Sequence, residues 1–353
     1  MTYFLNDILR QPAELQQTFD YLCGAGQPSL QRAAAAVRSA RHVYLTGIGS
    51  SWHAALTAGP LFSLSAHPVY MQDAAELLQF AALPTGAVLI LISRTGRSVE
   101  IVNLLAKARE SGATVIGITN SPDGPLAREA QIPIVINVEL DHAISVNTYS
   151  TLAAAVGALA AASCDSFDSA LVGSLSSSIA QTTQAIPGWQ ERIEDTAWLL
   201  PNSVSYFLGR GSALGSCYET RLLWEEGVKS PATAMGTGSF RHGPQEMVKE
   251  GTRVGVWIDG QRMRAQDLAV ARDLRRVGAS VMLIGQDIPQ DAGDLVFPLP
   301  VIVPGWQFLI DIIPAQLAAE RLAGLTGVDC DSFRLCSFIV EDEYGLLHEK
   351  AGV

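Results

Sequence analysis

The chain has 353 residues, enough for two domains with buried cores. Hydrophobic residues make up 48% and charged residues 17%, a balance that excludes a disordered chain and places much of the sequence in interiors or interfaces. With 35 acidic against 24 basic residues the formal charge is −11, which offers no field to a phosphate backbone or an anionic lipid surface, so no nucleic acid and no membrane is expected as a partner.

In chain order, the opening Met1-Thr-Tyr-Phe-Leu-Asn-Asp has neither a basic nor an apolar leader region, so a cytoplasmic protein is expected. β-branched runs at His42–Thr46, Val69–Met71, Val88–Ile92, Thr114–Thr119 and Ile134–Ile136 alternate with helical patterns, the rhythm of a parallel sheet. Asp73 and Glu76 are spaced for a reciprocal helix cap. Ser98–Ser111 places Ile101, Val102, Leu104, Leu105 and Ala108 on one face. Leu152–Ala162 is the longest nearly apolar run, too short to span a bilayer, and reads as a buried helix. Five cysteines (Cys23, Cys164, Cys217, Cys330, Cys336) form no Cys-x-x-Cys pair and read as reduced, buried small residues.

The second half repeats the first. Val43-Tyr-Leu-Thr-Gly-Ile-Gly-Ser-Ser lies over Ser205-Tyr-Phe-Leu-Gly-Arg-Gly-Ser-Ala, and Gly112-Ala-Thr-Val-Ile-Gly-Ile over Gly278-Ala-Ser-Val-Met-Leu-Ile, in the same order and at nearly equal offsets. Two α/β domains of one fold follow, residues 1–187 and 188–353, with the join near Pro187-Gly188, where the helical pattern should break.

Two strand-to-helix junctions carry candidate chemistry. Leu45-Thr-Gly-Ile-Gly-Ser-Ser brings two glycines and the hydroxyls of Ser50 and Ser51 to a helix start, an arrangement that serves an anion or simply close packing of helix on sheet. It is no dinucleotide fingerprint, since His53 stands where a third glycine belongs. Ser93-Arg-Thr-Gly-Arg-Ser gathers Ser93, Arg94, Thr95 and Ser98 on one turn, more hydroxyls than helix capping needs and suited to a phosphate monoester. The remaining histidines, His53 among them, show no metal spacing and read as structural or exposed.

Gly-Ile-Gly-Ser-Ser followed by Ser-Arg-Thr-Gly-Arg-Ser resembles the sugar isomerase (SIS) domain. The whole chain resembles the isomerase half of glutamine:fructose-6-phosphate amidotransferases and the amino-sugar-phosphate isomerases and deaminases, with Asp7-Ile-Leu-Arg-Gln-Pro and Phe240-Arg-His-Gly-Pro as further matches. Ser-Arg-Thr-Gly is nearer to the galactosamine-phosphate deaminase/isomerase branch. The resemblance implies two SIS domains, each a parallel five-stranded sheet flanked by helices in a flavodoxin-like, Rossmann-like three-layer sandwich. It implies a phosphorylated sugar as ligand, no cofactor and no metal, and a homodimer with a shared site. Ser51, Ser93, Arg94, Thr95 and Ser98 match phosphate-holding positions, and Ser145 a further substrate contact. Glu226 matches the carboxylate that moves a proton between C1 and C2, and His242 the ring-opening histidine that reaches into the neighbouring subunit.

Read without the resemblance, Glu226 is equally a solvated helix carboxylate beside Glu225, and His242 a loop cap. Three lysines of the amidotransferase pattern are replaced by Asn147, Leu223 and Cys336, and Lys350 in the tail reads as part of a frayed end. The chain opens on the Gln-Pro segment without a cysteine nucleophile, so no glutaminase domain is expected. In the second half Trp257-Ile-Asp-Gly-Gln-Arg puts an acid where the first serine would stand, so no phosphate is expected there. The sequence thus points to a phosphosugar isomerase or amino-sugar-phosphate isomerase/deaminase, with a non-catalytic phosphosugar sensor as the alternative. It leaves open which sugar is taken and whether nitrogen is added or removed.

Overall fold

The computed structural model describes residues 1–65, 67–200, 204–343 and 345–346; Lys350 lies outside them. Ten strands form two separate five-stranded sheets. In the first, β1 (Val43–Thr46), β2 (Tyr70–Met71), β3 (Val88–Ser93), β4 (Thr114–Thr119) and β5 (Ile132–Val135) run in the order β2-β1-β3-β4-β5. In the second, β6 (Ser205–Gly209), β7 (Ala232–Gly236), β8 (Arg253–Trp257), β9 (Ser280–Gly285) and β10 (Leu295–Pro298) run β7-β6-β8-β9-β10, the same order once renumbered. Every pair is parallel, with Val43 opposite Val88 and Ser205 opposite Arg253. Helices cover the faces, so β3 is buried along its whole length, as its unbroken Val-Leu-Ile-Leu-Ile run requires. The fifth strand begins two residues earlier than the sequence suggests, because Ile132 pairs with Ile116 and Pro133 is tolerated at the sheet edge.

The Ala-rich helix Asn147–Ala162 is buried at every position. It packs against the N-terminal helix Tyr3–Cys23 and against the helix Ser50–Ala58. Small side chains allow such close approach on all sides at once. The two halves meet where Ser50–Ala58 crosses the helix Ala213–Leu223. There a Cβ on Gly215 would sit 2.5 Å from Thr57, so the crossing demands glycine.

Pro187 does not break the chain: one helix runs from Ser169 to Glu194 through it. The buried stripe Ile179, Thr182, Ile186, Trp189 and Ile193 continues on both sides of the proline. Pro187 and Thr183, whose carbonyl loses its helical donor, are both exposed, so the freed group lies on the solvent side of the helix. Asp73 caps the Ala75 N–H at 3.0 Å, but Glu76 is exposed and makes no return bond among the described residues, so the reciprocal cap is half formed. Of the five cysteines, all free, only Cys217 and Cys330 are buried; Cys164 is partly covered and Cys23 and Cys336 are exposed.

No helix among the described residues is long and apolar enough to cross a membrane, and no group of His, Cys, Asp or Glu among them could hold a metal ion.

Candidate active site

At the carboxyl ends of β1 and β3 lies a cavity of about 220 Å³, sized for one small metabolite rather than a dinucleotide. Ser50, Ser51, Ser93, Arg94, Thr95, Ser98, Ser145 and Glu226 all line it. The sequence scattered these eight residues over 177 positions, and the fold brings them together. His242 is the one candidate left outside: it sits exposed in the loop after Phe240, its N–H bonded to the Ser239 carbonyl at 3.0 Å.

The first wall is the β1 junction. Gly47 is required by packing, since a Cβ would meet the Ser51 backbone at 2.8 Å. Gly49 is required by conformation, at φ 56° and ψ −132° just before the helix, a region essentially closed to other residues. Packing thus accounts for Gly47 and backbone conformation for Gly49. Together they present Ser50 and Ser51 at the start of Ser50–Ala58.

The second wall is the hydroxyl turn after β3. Ser93 Oγ accepts the Gly96 N–H at 3.0 Å and Thr95 Oγ1 accepts the Arg97 N–H at 3.3 Å, which leaves both hydroxyl protons free to point at a ligand oxygen. Gly96 adopts φ 65°, closing the turn. Ser98 occupies the N-cap position of Val99–Ser111 without any side-chain cap bond. The turn is anchored from behind, because the Arg94 carbonyl accepts from the Asn120 N–H (3.1 Å), the Thr119 hydroxyl (3.2 Å) and the Ser121 hydroxyl (3.3 Å). Arg97 points away, toward the Asp123 carbonyl at 3.4 Å.

The third wall comes from the loop before the Ala-rich helix. Asp141, buried, accepts from the N–H groups of Val146, Asn147 and Thr148 at 2.8–3.0 Å and from the Thr148 hydroxyl at 2.5 Å. This carboxylate fixes the loop that puts Ala143 and Ser145 on the cavity, with the Ser145 hydroxyl 2.8 Å from that of Thr148. Asn147 is committed to Asp141 through its own amide at 2.9 Å and does not reach the cavity. Sequence reasoning missed Asp141, whose only signal is an acid a few residues before a helix start.

The second half contributes Leu222 and Glu226. Helix Ala213–Leu223 passes into a π-helical turn, Trp224–Val228. This turn leaves Glu225 exposed while Glu226, partly buried, faces the cavity. Burial, with the nearby Glu219 carboxylate adding to it, pushes the Glu226 carboxyl up to about 7, against the opposing pull of Arg94 and Lys229. Leu223, one of the lysine replacements, points into the core.

A roof is supplied by residues 333–340, another feature the sequence did not announce. Arg94 donates to the Phe338 carbonyl at 3.0 Å and to the Ala143 carbonyl at 3.3 Å, and its guanidinium lies 4.0 Å from the centre of the Phe338 ring. The Val99 N–H, a first-turn donor, is taken by the Val340 carbonyl at 3.0 Å. Cys336, the third lysine replacement, lines the cavity here, as does Glu100, whose carboxyl burial raises.

The equivalent turn of the second sheet is closed by its own side chain. Asp259 accepts from the N–H groups of Arg262 and Met263 at 2.8 Å and of Gln261 at 3.2 Å, so a carboxylate occupies the place of an external anion.

Residues 36–162 match the family model described as the SIS domain. The chain is 27% identical over 312 residues to the glutamine–fructose-6-phosphate aminotransferase (isomerizing) of Bacillus subtilis, covering 85% of this chain and 51% of that protein. It is 26% identical over 350 residues to the enzyme of the same name from Aeropyrum pernix, covering 94% and 56%. The chain thus spans about half the length of the curated relatives it matches. In fold it is similar to the C-terminal domain of glucosamine-fructose-6-phosphate aminotransferase from Francisella tularensis, with a TM-score of 0.83, 20% identity, and 94% of this chain and 98% of that one covered. Tagatose-6-phosphate ketose/aldose isomerase from Escherichia coli gives 0.81 at 20% identity and 94% of each chain, and glucosamine-6-phosphate deaminase from Thermotoga maritima 0.79 at 23%, covering 96% and 99%. Residues 36–162 are a SIS domain, set in an α/β chain whose homologues and structural neighbours are phosphosugar isomerases and deaminases.

Proposed function

We propose that this chain is a phosphosugar isomerase or amino-sugar-phosphate isomerase/deaminase that takes a hexose 6-phosphate into this cavity and moves a proton between C1 and C2 on Glu226. The observation that carries the reading is a single cavity in which a turn of free hydroxyls and a carboxyl with a pKa near 7 both line the walls. Aldose–ketose interconversion needs one group able to take a proton from one carbon and return it to the next. A carboxyl poised near neutrality spends comparable time in both states and does each half of that work. Ser51, Ser93, Thr95 and Ser98 would hold the phosphate by hydroxyl and helix-start donors, with Arg94 supplying positive charge.

The shared strand order of the two sheets supports a tandem of SIS domains, the second acting as the catalytic and dimer-forming half. His242 fits a role in ring opening across a dimer: its loop, residues 241–250, is largely exposed, Met247 by 62%, a surface suited to a second copy. The chemistry calls for no metal and no organic cofactor, and a cytoplasmic homodimer accommodates it.

The lysine replacements favour a second reading, a phosphosugar sensor without turnover. Asn147 is locked on Asp141, Leu223 is in the core, and Cys336 brings a thiol where the amidotransferases' pattern has an amine. One experiment separates the two: fructose-, glucosamine- and galactosamine-phosphates are incubated with the protein, with and without ammonia, and sugar products and released ammonia are followed. Turnover of any of them supports the enzyme; binding without turnover supports the sensor; no binding refutes both.

A further inference from the structure

Behind the cavity, in the seam between the two halves, sits a buried histidine–glutamate contact that the proposed chemistry does not use. His53 Nδ1 lies 2.7 Å from Glu219 Oε2, with the two residues 5% and 0% exposed. The histidine belongs to helix Ser50–Ala58, whose first residues Ser50 and Ser51 line the cavity. The glutamate belongs to Ala213–Leu223, which leads seven residues on to Glu226. Among the described residues His53 is the one hydrogen-bond partner of Glu219, whose other oxygen is buried and unpartnered. The Tyr218 ring stacks on His53 at 5.9 Å, and the titratable groups that Glu219 acts on electrostatically are Arg94 of the hydroxyl turn, Glu226 and the buried, neutral phenol of Tyr149 in the Ala-rich helix.

An isolated carboxylate in such a place is strongly disfavoured unless a donor holds its charge. Here that donor is a histidine N–H at charge-assisted distance. We propose that His53 is a positioning residue for proton transfer: by donating its Nδ1–H across the seam it keeps Glu219 ionised, and this fixed negative charge sets how readily Glu226 releases and recovers a proton. Each half of the chain thereby holds part of the control over one base, the histidine lying in the half that carries the hydroxyl turn.

The inference rests on Glu226 as the proton carrier, so its test reads Glu226 directly. The carboxyl is titrated by ¹³C NMR in glutamate-labelled protein, with Glu226→Gln identifying the signal, and no turnover is needed. Glu219→Gln, nearly isosteric, should lower the Glu226 midpoint by about one pH unit, a tenfold change in proton affinity. His53→Leu, which strips the donor, should lower it in the same sense, His53→Gln, which retains an N–H donor, should restore it, and the double variant Glu219→Gln/His53→Leu should match Glu219→Gln alone. An unmoved midpoint in Glu219→Gln overturns the proposal, and so does a His53→Leu shift that persists at full size in the Glu219→Gln background. If His53→Leu fails to fold, Glu219→Gln with and without His53→Gln decides the matter. Where a phosphosugar is turned over, the acid limb of kcat/KM should move with the midpoint. Absence of turnover in the unmodified protein would remove the isomerase reading and leave the NMR comparison intact.

Discussion

Glu226→Gln should abolish turnover and, at the same time, stabilise the protein at neutral and alkaline pH. The folded state holds this carboxyl at about 7 against an ordinary value of 4.5, which means that it favours the protonated form. Below about 4.5 both folded and unfolded chains are protonated and the group costs nothing. Between 4.5 and 7 the unfolded chain ionises first, so stability falls as pH rises. Above about 7 both forms are ionised and the full penalty remains. Glutamine imitates the protonated carboxyl and escapes the penalty, which after allowance for the partial exposure of the side chain is roughly 2 to 3 kcal/mol. Urea unfolding of both proteins at pH 4, 6 and 8 measures it. The variant's advantage should be near zero at pH 4, grow by pH 6 and level off by pH 8. An advantage that is the same at all three pH values, or a variant less stable at pH 8, would refute the argument that desolvation has tuned this carboxyl.

Four further outcomes are expected. Ser93→Ala with Thr95→Ala should weaken phosphosugar binding by tenfold or more in calorimetry, each lost charge-assisted bond being worth roughly 1.5 to 3 kcal/mol, and unchanged affinity would remove the hydroxyl turn from the site. Mixing Glu226→Gln with His242→Ala chains should restore part of the activity if the histidine serves the partner's site; none should return from either variant alone. Gly49→Ala should cost about 1 to 3 kcal/mol in thermal unfolding, because its φ of 56° with ψ of −132° suits glycine alone. Asp259→Ala should lower stability by about 1 to 2 kcal/mol by freeing three N–H groups, while leaving phosphosugar affinity in the first sheet unchanged in the same calorimetric assay.

What could be read in advance was local in sequence. The β3 run from Val88 to Ile92 is apolar without interruption and bounded by turn residues, so its burial, its direction and the hydroxyl turn at its end follow from adjacent residues. Asp259 belongs with it, since an acid at the head of a turn reaches N–H groups two to four residues on. What stayed hidden was joined by folding alone. Arg94 meets Phe338 across 244 residues, and His53 meets Glu219 across 166, with nothing in the sequence around either partner to mark the pairing. Pro187 misled for a different reason: its helix is held by a buried stripe, and tertiary packing outweighs the loss of one exposed hydrogen bond.

The crossing of Ser50–Ala58 with Ala213–Leu223 at Gly215 also bears on how the molecule resists unfolding. The cavity takes walls from one sheet and its carboxylate from beyond the other side of this seam, so it exists only while the two halves are docked. A bound molecule touching both is therefore a strut between them: at a hundred times its dissociation constant it adds about 2.7 kcal/mol against any opening that separates the halves, and nothing against fraying that leaves the seam closed. Hydrogen exchange with and without a saturating phosphosugar would then divide the amides into two classes, those whose protection depends on docking and those whose protection does not, and the dividing line would trace the seam itself.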